Sequence, residues 1–243
     1  MRNILHEKKT PLAGRFFFDP VFSLGFILLF ASWMNTIHFP PWTSWHNEIF
    51  AFASTLLLAL AIVCSSWKRG AGMIAIPVVA VPFLALMGLA LAQALMGRIV
   101  FAGDVVVITF YLALYVLASV VGYTVAQQGA NHSGRSFSAI QQLAVVLVLG
   151  GVCSVTAALA QAFDLWGLGT WIVPLQQLRR PGGNIAQANQ LATLILFSMC
   201  SVLYLFEAKR LSALSATCIA ILLVLGLAIT ESRGGVLSFV LLA

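Results

Sequence analysis

Charge is what this sequence has least of. Of its 243 residues only 8% are Asp, Glu, Lys or Arg, while 61% are hydrophobic and the mean hydropathy is +1.00. A soluble domain carries roughly 25% charged residues, so a water-soluble globular protein is excluded. The class that remains is an all-α, polytopic transmembrane helix bundle. A transmembrane barrel is excluded as well, because its strands would read as short alternating segments and not as long continuous apolar runs.

Other absences narrow the function. The apolar runs are almost free of ionisable groups, and no pair of acids lies within them, which argues against an ion-coupled transporter. The four cysteines, Cys64, Cys153, Cys200 and Cys218, form no CxxC pair or Cys/His cluster. They are expected to be buried as small apolar residues, with no metal and no cofactor. There is no phosphate-loop signature, no GxSxG and no HExxH. A net charge of +6 invites a nucleic-acid partner, but the basic residues sit in short loops between apolar runs, where membrane topology puts them. The N-terminal segment MRNILHEKKTPLAGR is too polar for a cleavable signal peptide.

What is present is a series of apolar runs near the length of about 20 residues that a crossing needs. Seven are read, at 21–38, 47–67, 73–95, 104–126, 138–163, 187–206 and 213–230. An eighth, 234–243, has ten residues. At about 1.5 Å per residue it reaches about half-way across. The expected organisation is a cytoplasmic tail over residues 1–20 and a transmembrane domain over 21–243, truncated within its eighth span. The natural protein is expected to continue past Ala243.

Lys and Arg set the orientation. With the N-terminus inside, Arg2, Lys8, Lys9, Arg15, Lys68, Arg69, Arg135, Lys209 and Arg210 fall inside, and Arg98, Arg179, Arg180 and Arg233 outside. Nine against four satisfies the positive-inside rule. All four outside cations are arginine, the side chain suited to bidentate capture of phosphate.

The outside loops hold the polar residues of interest. The first, IHFPPWTSWHNEIF, carries Trp42 and Trp45, which fit an interfacial aromatic belt, and His38, His46 and Glu48. Glu48 opens the second span and complements a helix N-terminus; the irregular spacing disfavours a metal site. In the second, Arg98 and Asp104 are placed for an interfacial pair, or Asp104 for a cap. The third is the richest. Residues 165–178, with Trp166, Trp171 and Pro174, suit a re-entrant or surface-lying segment. RRPGGNIAQANQLA follows: Arg179 and Arg180, then a Pro181-Gly182-Gly183 turn whose N–H groups can aim outward, then Asn184 as a helix cap. Asn184, Gln187, Asn189 and Gln190 wrap most of one turn, which should face protein or a wet cavity and not lipid. Arginines beside free N–H groups at a helix N-terminus form an anion site; the alternative is a loop whose amides satisfy its own backbone and whose arginines touch headgroups. In the last turn, TESRGG, Glu231 and Arg233 are spaced to pair, or Arg233 serves a phosphate.

Two of these motifs together carry a resemblance. GGNIAQANQLAT, followed about forty residues later by a helix ending in SRGG, resembles the bacterial O-antigen ligase and protein O-oligosaccharyltransferase family. The loop HFPPWTSWHNE is similar to the first loop of its protein-glycosylating branch. The resemblance covers the front part of a family member and implies a C-type glycosyltransferase-like membrane fold in the bacterial inner membrane. It implies metal-independent transfer of a preassembled glycan from a polyprenyl-diphosphate carrier, at the periplasmic face. The acceptor would be a protein Ser/Thr hydroxyl or a lipid A-core sugar. It further implies that Arg233, of the SR motif, holds the diphosphate, with Arg179 and Arg180 as additional partners. Asn184, Gln187 and Asn189 would line the donor or acceptor cavity, and His38 and Glu48 match the first-loop pattern. The family's catalytic histidine lies in a later periplasmic loop to which nothing here corresponds, so this chain alone is expected to be inactive. The rival readings are an O-antigen polymerase, a flippase or transporter for the lipid-linked glycan, and a non-catalytic membrane scaffold.

Overall fold

The computed structural model describes residues 20–37, 45–68, 75–99, 101–129, 139–165 and 180–242. Within them the chain is all helix: α1 (Pro20–Met34), α2 (Trp45–Lys68), α3 (Val81–Leu95) entered through a 3-10 turn at Val78–Ala80, α4 (Ala102–Gly129), α5 (Ala139–Ala162), a second 3-10 turn at Gly183–Ile185, α6 (Ala188–Glu207), α7 (Ala213–Ile229) and α8 (Arg233–Leu242). Each of the seven expected apolar runs overlaps one helix, and the short eighth run overlaps α8.

Five helices are long and apolar enough to cross a membrane: Trp45–Cys64, Val78–Leu95, Ala102–Gln127, Ala139–Ala162 and Ala188–Glu207. The apolar parts of α1 and α7 are shorter. The first run was expected to reach His38, but α1 stops at Met34 because the Asn35 side-chain oxygen accepts the Ile37 N–H at 3.1 Å. That local bond gives the backbone an alternative to another helical turn. At other ends the chain turns through the left-handed region. Gly97 (φ 67), Asp164 (φ 48) and Lys209 (φ 56) follow α3, α5 and α6, and the next N–H returns to an earlier carbonyl (Arg98 to Gln93, Leu165 to Ala160, Arg210 to Leu205).

Two buried clusters organise the bundle. One joins α1, α2 and α4 through Phe22, Phe26, Leu58, Ile62, Val121 and Val125. The other joins α5, α6 and α7 through Val148, Val155, Leu191, Ile195, Leu205 and Leu223. Small residues and hydroxyls allow the close approaches. Ser54 of α2 donates to the Gly25 carbonyl of α1 at 2.7 Å, and Ser198 of α6 to the Leu147 carbonyl of α5 at 2.7 Å. A methyl group on Gly151 would stand 2.2 Å from the Ser198 hydroxyl, and one on Gly226 2.3 Å from Val155. With no water to drive helices together in lipid, such contacts are what hold them.

The outer surface is apolar: Val78 is 85% and Leu95 90% exposed, with dozens of large hydrophobic residues outward besides. This is the surface of a multi-pass membrane protein. It also corrects the expectation for cysteine. Cys64, Cys153, Cys200 and Cys218 are all exposed and unpaired. In a membrane the outside of the bundle is itself apolar, so a thiol has no need of a core.

Candidate functional site

The polar stretch after Arg179 is built inward. The side-chain oxygen of Gln161, in the last turn of α5, accepts the N–H groups of both Gly182 (3.0 Å) and Gly183 (2.9 Å). The expectation that these N–H groups aim outward is therefore overturned. They point into the protein, where an amide oxygen already fills the concavity. Gly183 is at φ 59, and a methyl group there would stand 2.9 Å from the Ser154 carbonyl oxygen and 3.1 Å from the Ala158 nitrogen. The turn is thus seated directly on the backbone of α5, where only glycine fits.

Asn184 is not a helix cap. It lies buried in the 3-10 turn and its side-chain amide donates to the Trp33 carbonyl, in the last turn of α1. That carbonyl is one of those left without a partner inside α1, so Asn184 serves α1 and not α6. The cap of α6 is Gln187, an exposed residue with extended backbone whose carbonyl accepts the Leu191 N–H at 3.0 Å. Between the two, Ala186 takes a left-handed conformation at φ 64 to complete the entry.

Two contacts join this stretch to the turn before α8. Ser232 donates its hydroxyl to the side-chain oxygen of Asn189 at 3.1 Å. The same hydroxyl accepts the Gly235 N–H at 3.2 Å, which makes Ser232 the N-cap of α8. Arg180 reaches across to the carbonyl of Glu231 at 3.2 Å, a residue that is itself left-handed (φ 48). Gly235 lets α8 lie against α6, since a methyl there would stand 2.9 Å from Ala192. Between the helices is a cleft of about 210 Å³ lined by Asn189, Thr193, Leu196, Ser232, Gly234, Gly235 and Ser238. One amide, three hydroxyls and two glycines border it beside Leu196, with Arg180 exposed nearby and Arg233 exposed as the first residue of α8.

The remaining expected residues fall elsewhere. His38 and Arg179, with the segment 166–179 and Trp42, lie outside the described residues. Glu48 sits in the first turn of α2 and receives the Tyr111 hydroxyl of α4, so it belongs to the α2–α4 contact. Asp104 lies in the first turn of α4, where a carboxylate complements the helix dipole. No three potential metal ligands gather among the described residues. Sequence reasoning missed Gln161, Trp33, Thr230 and Ser232. For Gln161 there was a signal, a lone amide closing a long apolar run. Trp33 offers its backbone, for which no side-chain signal exists. Thr230, buried and donating to the Leu227 carbonyl at 2.7 Å, shapes the turn through its bond from the Ser232 N–H.

Comparison with known proteins agrees with the motifs. A family model described as protein glycosylation ligase matches residues 181–206, the stretch that forms the turn, the cap and α6. The chain is 26% identical over 210 residues to the general O-oligosaccharyltransferase of Acinetobacter baylyi, covering 85% of this chain and 34% of that protein. It therefore spans about a third of the length of the curated relative it matches. No solved structure matches. The resemblance to the O-antigen ligase and protein O-oligosaccharyltransferase family, read from GGNIAQANQ and SRGG, is supported by both findings, which point to its protein-glycosylating branch.

Proposed function

We propose that this chain forms the donor-binding part of a membrane oligosaccharyltransferase, which moves a preassembled glycan from a polyprenyl-diphosphate carrier to a protein Ser/Thr hydroxyl. The observation that carries the reading is the Asn189–Ser232 hydrogen bond, which puts the two family motifs into one site. The description of the matching model favours a protein acceptor over lipid A-core.

In such a transfer the acceptor oxygen bonds to the anomeric carbon of the first sugar. The bond from that carbon to the diphosphate oxygen breaks, and the diphosphate departs with the electron pair. Charge grows on the leaving group, so donors fixed before the reaction stabilise the transition state. Arg180 spends one N–H on Glu231 and keeps the others for an anion. Arg233 stands at the N-terminus of α8, and the N-terminus of α6 lies beside it, so both helix dipoles favour negative charge at this end. The hydroxyls and amide of the α6–α8 cleft suit the polar neck of the donor, and the apolar flanks suit its tail. The proton of the acceptor hydroxyl is assigned to the histidine that the family resemblance places in a later loop.

The orientation belongs to the same proposal: residues 1–20 cytoplasmic, the Arg180–Arg233 end periplasmic, in the bacterial inner membrane. The nine-to-four bias of basic residues supports it. The test is the Arg233→Ala variant of the full-length protein, assayed for transfer from lipid-linked glycan to an acceptor protein. A fall of about 100-fold or more is expected, the size seen when a single transition-state donor is removed. Undiminished transfer removes Arg233 from the diphosphate role.

A further inference from the structure

The third outside loop approaches the site through a short covalent path: Arg180, Pro181, Gly182, Gly183. Pro181 fixes its own φ, so the direction in which Arg180 leaves the loop depends on how the next two residues are held. Their N–H groups point the same way, an arrangement that ordinarily attracts an anion. Here the concavity is filled from inside by one atom, the side-chain oxygen of Gln161, which accepts both bonds at 3.0 and 2.9 Å. Gln161 is itself buried, 9% exposed, and anchored in α5, whose small residues Ser154 and Ala158 receive Gly183 at backbone distance. A further side-chain hydrogen bond from the turn into the bundle is that of Asn184 to Trp33, one residue further along and on the α6 side of the glycines.

We propose that Gln161 is a positioning residue: by holding Gly182 and Gly183 it sets Arg180 against the Glu231 carbonyl, and so fixes the guanidinium at the place where the donor's diphosphate arrives. The proposal rests on the donor-binding reading of Arg180 given above. Gln161 itself stays below the turn and touches no substrate. Without its oxygen the two N–H groups have no partner inside the protein. The turn then lifts toward water to satisfy them, and Arg180 moves with it. Arg180 is thereby a residue whose usefulness depends on an amide from another helix.

Two measurements test this. The first needs no transfer. Hydrogen exchange of the purified chain in detergent is compared for wild type, Gln161→Met, which is of similar length and offers no strong acceptor, and Gln161→Glu, which keeps an accepting oxygen. The Gly182 and Gly183 amides are expected to exchange at least tenfold faster in Q161M, and near the wild-type rate in Q161E, while α5 and α6 remain protected. Unchanged exchange in Q161M overturns the proposal. The second uses the full-length protein and reads kcat/KM for the lipid-linked donor in Q161M, R180A and the double variant. Q161M is expected to lower kcat/KM tenfold or more alone, and less than twofold on top of R180A. Additive losses mean a general structural role for Gln161 and overturn the proposal. A silent R180A contradicts the donor-binding reading instead, and removes the route through Arg180 with it.

Discussion

Ser232 gives its hydroxyl proton to Asn189 and takes the Gly235 N–H, so one side chain fastens α6 to α8 and caps α8. The two residues lie 43 positions apart. Neither motif forms a site alone: Asn189 would be an amide at a helix start, and Ser232 a cap on a short helix.

Replacing Ser232 with Ala removes both bonds. Loss of an N-cap costs about 1 kcal/mol, and loss of a partly buried hydrogen bond about 0.5–1.5 kcal/mol. The expected destabilisation is about 1.5–2.5 kcal/mol, read from unfolding in detergent. Asn189→Ala should cost less, because the cap survives. Equal losses would show that the cap contributes nothing.

The entry to α6 carries two left-handed residues, one suited to it and one not. Gly183→Ala meets backbone atoms of α5 at φ 59 and should destabilise by about 1–3 kcal/mol. Ala186→Gly relieves a left-handed alanine and should stabilise by about 0.5–1 kcal/mol. Thermal unfolding midpoints moving in opposite directions are the expected result. Matching directions would contradict the account of the turn.

Much of the fold was legible in the sequence and less of the site. The seven apolar runs lie on seven helices because lipid imposes one pattern that needs no knowledge of partners. The start of α6 was read within one residue from its apolar run, but its cap was misread, since an Asn before an apolar run ordinarily caps it. Asn184 departs from that habit because a 3-10 turn intervenes and the Trp33 carbonyl, 151 positions away, takes its amide. The outward N–H groups failed likewise: a Pro-Gly-Gly turn exposes donors, but only the tertiary structure shows that Gln161 has filled them. The cysteines were misjudged because burial was equated with apolarity, an equation that inverts on a lipid-facing surface.

The exposure of the cysteines offers a means to test orientation. Since all four face outward without partners, their replacement by Ala should leave the bundle intact. In that background a single cysteine at Gln187 should react with a membrane-impermeant maleimide added to whole spheroplasts, and one at Lys209 only after lysis. The reverse pattern would invert the proposed topology.

Close packing of α5 against α7 depends on Gly226, where an added methyl would stand 2.3 Å from Val155. Gly226→Ala should cost about 1–3 kcal/mol through overpacking, and Gly226→Ala with Val155→Ala should recover part of it. No recovery would mean that Val155 is not the obstacle.

The central claim is that the Arg180–Arg233 end of the bundle holds a lipid-linked diphosphate. Its most direct test is binding of a sugar-free polyprenyl diphosphate to the purified chain in nanodiscs. Charge-assisted hydrogen bonds contribute about 1.5–3 kcal/mol each. The account therefore predicts at least about tenfold weaker binding for the Arg180→Ala/Arg233→Ala double variant. It predicts wild-type binding for Lys209→Ala, which removes a charge at the far end of α6, about 30 Å away at 1.5 Å per residue. Equal affinity for wild type and the double variant would contradict it.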